Sequence, residues 1–175
     1  MKKHISKFIL STLILSSSVM AGESNSLEAT LADSNWGGEK IPDGQQCQKF
    51  KGDGSTPRIR VNNIPKGTNA IVVEYSDKTY KAMDNGGHGK IGYYIDERME
   101  EVTIPPIKGH TFELPKSFFI VAPQQAPKWD KAGAYLPPCS GGKGNKYVAT
   151  VKAVHLINGK IDEIISGVDI NMGVY

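Results

Sequence analysis

Apolar residues in this chain come in short bursts. RIRV (58–61), AIVVEY (70–75), IGYYI (91–95), SFFIVA (117–122) and YVATVKAVHL (147–156) are rich in valine, isoleucine and tyrosine, and glycine and proline divide them. β-branched and aromatic residues in runs of this length fit a pleated, half-buried surface, and no run before residue 158 has the spacing of an amphipathic helix. Between the first two segments, NNIPKGTN (62–69) reads as a turn in which Pro65 presets φ and Gly67 supplies a positive one. The pattern predicts a β-rich domain, a sandwich or a sheet.

One segment changes period. In KIDEIISGVDI, Ile161, Ile164, Ile165 and Val168 fall on one face of a helix, after a turn at Asn158 and Gly159 and with Asp162 and Glu163 suited to its positive N-terminal end. A single C-terminal amphipathic helix packed on the β core is the expectation.

The first residues carry a different message. Lys2, Lys3 and Lys7 precede an apolar run from Phe8 to about Met20, and small residues stand at Val19 and Ala21. This is the layout of a secretory signal peptide over residues 1–21, too short for a comfortable membrane span, with cleavage expected after Ala21. Export to the periplasm or beyond follows as an expectation, with no stable membrane anchor after cleavage. Residues 22–33, small and polar, read as a flexible leader, and residues 34–175 as one domain with one core. The 21 basic and 18 acidic residues of the whole chain come into balance once the three lysines leave. A neutral chain without an arginine-rich run lacks the footprint of a nucleic-acid binder.

The two cysteines, Cys47 and Cys139, are far apart in sequence, and export makes pairing their expected state. A bridge closing a loop of about 92 residues stabilises by roughly 4 to 5 kcal/mol as an upper figure. Oxidation also argues against Cys139 as a nucleophile, which would need a lowered pKa and a base beside it. A Cys/His hydrolase is therefore the weakest of the functional readings.

His88, His110 and His155 show no HxH, HxxxH or CxxC context, so no zinc site is encoded locally, and no cofactor is expected. His88 keeps the most suggestive company. It follows the apolar strand 70–75 in SDKTYKAMDNGGHGK (76–90), with Asp77 at the strand's end, Asp84 nearby and glycines at 86, 87 and 89. Strand ends are where a sheet presents polar groups to a ligand.

Two longer stretches carry a resemblance. GDGSTPRIRVNNIPKGTNAIVVEYSD (52–77) has a glycine near a proline, a strand, a Pro-x-Gly-Thr turn and an apolar strand running into aspartate; AYLPPCSGGKGNKYVATVKAV (134–154) has a Tyr-x-x-Pro-Cys loop leading to a tyrosine that opens a long strand. Together they resemble the phosphatidylethanolamine-binding proteins, also called Raf-kinase-inhibitor-like proteins. The likeness runs over roughly residues 40–175, with Pro57, Pro65, Gly67, Thr68, Asp77, Tyr135, Pro138, Cys139 and Tyr147 in matching places.

The resemblance implies a β-sandwich of two antiparallel sheets with a C-terminal helix. It also implies a small anion pocket built from an Asp-Pro-Asp segment, a histidine after a glycine loop and the histidine of a His-Arg-Tyr triplet. Here Lys78 and Thr79 stand in place of the proline and second aspartate, Asn145 replaces the second histidine, Lys146 replaces the arginine, and His88 is shifted by one residue. The implied pocket residues are Asp77, His88, Tyr135, Pro138 and Asn145, with Lys146 as a charge at the rim and a Cys47–Cys139 bridge holding the loop. The implied role is non-enzymatic binding of a small ligand bearing phosphate or carboxylate. The alternative is a secreted protein-interaction factor or inhibitor that keeps the fold without the pocket's chemistry.

Overall fold

The computed structural model describes residues 26–175, so the expected signal peptide lies outside the described residues. The strands are β1 (Glu28–Leu31), β2 (Ile59–Asn62), β3 (Ala70–Asp77), β4 (Lys90–Tyr94), β5 (Val102–Ile104), β6 (Phe118–Ala122), β7 (Lys146–Ile157) and β8 (Lys160–Val174). They form a three-stranded sheet in the order β1-β2-β5 and a five-stranded sheet in the order β6-β4-β3-β7-β8. Every strand pair is antiparallel.

Residue alternation decides what each sheet covers. Along β3, Ile71, Val73 and Tyr75 face the main core, where they meet Ile59 and Val61 of β2, Ile104 of β5 and Val151 of β7. Ala70 and Val72 point the other way and join Val154 in a second buried cluster, with Phe119 and Leu156 packed against it. A strand buried on both faces needs no polar alternation, which is why AIVVEY reads as a nearly continuous apolar run. A third cluster, Cys47, Met83, Leu136 and Cys139, lies around the disulfide.

Two expectations are corrected. The leader proposed for 22–33 is structured in its second half: Glu28–Leu31 pairs with β2, and Leu27 is buried in the main core. The C-terminal helix is a strand. Asn158 and Gly159 both have positive φ (51° and 73°) and join Ile157 to Lys160, the two-residue hairpin turn for which an Asn-Gly pair is suited. The register between β7 and β8 then passes over Asp162, Ile165 and Met172. Each of these extra residues resets the alternation by one, so a strand with a period of two acquires apolar residues three and four apart. The bulge at Asp162 sets Ile161 and Ile164 on one face, opposite Leu156 and Val154, whereas Val168, opposite Val151, packs against the main core.

Candidate functional site

Strands β3 and β7 lie side by side at the centre of the larger sheet, and their last pairing is Asp77 with Tyr147. This end of the sheet also receives the residues that precede β4: the His88 N–H donates to the Tyr75 carbonyl at 3.0 Å, and the Tyr75 N–H to Gly89 at 2.9 Å. The loop before β4 can approach the 134–136 segment because position 89 lacks a side chain. A Cβ there would collide with the Ala134 carbonyl, and φ is +125°. His88 and Leu136 consequently bond reciprocally: the Leu136 N–H donates to the His88 carbonyl at 2.8 Å, and His88 Nδ1 lies 2.7 Å from the Leu136 carbonyl.

A carbonyl only accepts, so Nδ1 carries the proton and Nε2 presents a lone pair. Burial lowers the pKa of the imidazole, while the bond to Leu136 and the charge of Asp77 act in the other direction. The ring meets Tyr147 edge-on, with centroids 5.3 Å apart.

Asp77 is buried and well supplied with donors. Its Oδ1 accepts the N–H groups of Thr79 at 2.9 Å and Tyr80 at 3.1 Å, and its Oδ2 accepts Asn145 Nδ2 at 2.6 Å. Two of these donors are backbone groups of the turn that follows β3. They hold the carboxylate without the proline and second aspartate of the implied pattern. Asp84 does not take that second place: it is bound to Lys78 Nζ at 2.8 Å and does not line the pocket.

The Tyr147 hydroxyl oxygen accepts the Cys139 N–H at 3.1 Å, and burial pushes its pKa up to about 12, so the O–H remains a donor. From the same residue, the Cys139 carbonyl accepts Trp129 Nε1–H at 3.2 Å. Lys49 Nζ lies 3.3 Å from the centroid of the Trp129 ring, a cation–π contact that covers one of its faces. The loop after Cys139 is held by Tyr175, whose carbonyl accepts the N–H groups of Gly144 and Asn145 and the Ser140 hydroxyl.

These groups enclose a pocket of about 430 Å³, within the range of small-molecule sites. Of the residues implied from sequence, Asp77, His88 and Asn145 line it together, and so does Cys139. Tyr135, Pro138 and Lys146 do not. Tyr135 is wholly buried against Tyr75, with ring centroids 4.8 Å apart, and its hydroxyl has no partner among the described residues. Pro138 lies buried behind the site, its carbonyl accepting the Cys47 N–H. Lys146 begins β7 with an exposed side chain; the lysine at the rim is Lys143. Thr79, Tyr80, Trp129, Ser140 and Tyr147 also line it, and Met83, Ala126 and Leu136 give it an apolar side. Trp129 and Tyr80 carried one legible signal, a lone aromatic ring in a polar loop stretch.

Cys47 and Cys139 form a disulfide with Cα atoms 5.2 Å apart. Among the described residues one cluster of metal-type ligands occurs, Cys47, Asp130 and Cys139, and the bridge engages its sulfurs. Asp130 instead accepts His110 Nε2–H at 2.9 Å and the Lys49 N–H at 3.2 Å. His155 lies away from the pocket and bonds the Gly67 carbonyl.

No protein-family model matches the chain, and no curated protein matches it by sequence. Solved structures do match. CT736 from Chlamydia trachomatis superposes with a TM-score of 0.53 at 19% identity, covering 86% of this chain and 97% of that one. Escherichia coli YbcL gives a TM-score of 0.54 at 17% identity, covering 85% and 97%. Both are described as relatives of the phosphatidylethanolamine-binding proteins. The fold is the phosphatidylethanolamine-binding protein fold. Within it, this chain places an asparagine amide and a neutral imidazole beside one buried carboxylate, and it ends the larger sheet with a bulged strand.

Proposed function

We propose that this chain is an exported, non-enzymatic binding protein that holds a small organic ligand bearing an anionic group in the pocket at the end of β3 and β7. The observation that carries the reading is the set of donors on that pocket: the Asn145 amide, positioned by Asp77, the Tyr147 hydroxyl and the Lys143 ammonium. Asp77 is negative and Lys143 positive, so the lining is close to neutral. It suits a singly charged phosphate ester or carboxylate better than a dianion. The fold shared with phosphatidylethanolamine-binding protein relatives supports a binding role.

Calorimetric titration of the oxidised protein with phosphate, phosphoethanolamine and acetate tests this, with Asn145→Ala and Lys143→Ala alongside. Saturable binding that weakens in both variants is expected. A folded protein that binds none of the three shifts the reading to a protein-interaction factor with an unused pocket.

A further inference from the structure

The polar groups of the pocket and its walls ask for different things from a ligand. Anions accept hydrogen bonds, yet His88, as deeply buried as Asp77, offers a lone pair: its Nδ1–H is committed to Leu136, and Nε2 has no partner among the described residues. A fully deprotonated phosphate or carboxylate set against that lone pair, and close to the Asp77 carboxylate, would meet two acceptors. The group that satisfies Nε2 is a donor. Beside it Asn145 has one N–H committed to Asp77, leaving its second N–H and its carbonyl oxygen, and Tyr147 keeps a donating O–H. The pocket thus offers both donors and acceptors beside the apolar Met83, Ala126 and Leu136, a combination that a polyol matches, since each hydroxyl both gives and takes and its carbons carry C–H surface.

The mouth is aromatic. Tyr80 and Trp129 both line the pocket and remain 58% and 48% exposed, large for rings of this size. Trp129 is fixed in orientation by its Nε1–H bond to Cys139 and by Lys49 over one face. Flat rings with weakly polar faces, one of them held in place, pack well against the C–H surface of a saturated ring. The one lysine of the lining, Lys143, sits on the exposed glycine loop rather than on the floor.

We infer that the pocket takes an anionic polyol, a sugar phosphate or sugar acid, with its hydroxyl groups on His88, Asn145 and Tyr147, its ring against Tyr80 and Trp129, and its charged group outward at Lys143. The inference rests on the anion-binding reading above and reverses the polarity of the pocket that the family resemblance implies: the charge is at the rim and the hydroxyls are at the floor.

The test is calorimetric, on the whole oxidised protein. The probes are glucose 6-phosphate, ribose 5-phosphate and glucuronate against inorganic phosphate and n-hexyl phosphate. At least one polyol is expected to bind about tenfold or more tightly than both inorganic and hexyl phosphate, roughly the return on one or two added net hydrogen bonds. Tyr80→Leu, at a half-exposed position that the fold does not require, is expected to narrow that ratio. Hexyl phosphate equal to or tighter than every polyol overturns the inference and leaves the anion reading standing. Failure of every phosphate and acid to bind overturns both.

Discussion

Asp77 Oδ2 accepts the Asn145 amide at 2.6 Å, a bond that spans 68 residues of sequence and ties the end of β3 to the loop that opens β7. The same carboxylate caps the turn after β3 through Thr79 and Tyr80. One buried acid therefore holds both sides of the pocket floor, which the imidazole of His88 also lines.

Asp77→Asn keeps the shape and removes the charge. Its amide can still accept at one atom but presents a donor toward Asn145 or the turn, leaving a buried clash of donors. The expected loss is about 1 to 3 kcal/mol of unfolding free energy, read from urea midpoints, together with weaker ligand binding. Unchanged stability would mean that the carboxylate does not organise the floor.

His88 gives stability a pH dependence whose sign is set by burial. Its folded pKa lies below the ordinary 6.5, so the unfolded chain takes up the proton first as pH falls. The contribution is fully present above about 6.5 and is lost as pH drops from there through the folded pKa. Urea midpoints measured from pH 8 to 5 are expected to fall over that window, with a shallower slope in His88→Gln.

The disulfide does more than close a long loop. Cys139 presents its N–H to Tyr147 and its carbonyl to Trp129, so the bridge to Cys47 anchors two walls of the pocket. Cys47→Ala/Cys139→Ala is expected to lose roughly 2 to 5 kcal/mol of stability. Ligand affinity should fall as well, even at a temperature where the variant remains folded by circular dichroism. Loss of stability with full affinity would separate the bridge from the pocket.

Tyr135 offers a change in the other direction. Its hydroxyl is buried without a partner among the described residues, and the ring packs on Tyr75. Tyr135→Phe is expected to be neutral or stabilising by up to about 1 kcal/mol, with ligand binding unaltered. A weakened affinity would place Tyr135 in the site after all.

The strands were legible because side-chain chemistry and local period coincide in them: the apolar runs 70–75 and 147–156 fall inside β3 and β7, short of their ends by one or two residues. The acid at the end of one and the tyrosine at the start of the other were legible for the same reason, since a strand's end fixes where its next residue emerges. Cysteine parity and the expected export pointed to the bridge. The segment 160–170 misled because its bulges depend on how β8 registers against β7, and a bulge leaves in the sequence only a shifted period that a helix shares.

Sequence by itself thus determined the β class, the Asp77 and His88 ends of the central strands and the pairing of the cysteines, all properties of local pattern or simple count. Tertiary structure decided which of the neighbouring residues reach the pocket. Tyr135 and Tyr80 are both aromatic and both lie near matched motifs, yet one is sealed against Tyr75 and the other stands at the mouth. Lys143, not Lys146, reaches the rim, because β7 begins at 146 and its pairing with β8 claims that residue while the glycine loop before it projects over the pocket. In loops the direction of a side chain is set by the distant segment the backbone bonds to, here Leu136 for His88 and Tyr175 for Asn145, and no local period records that partner.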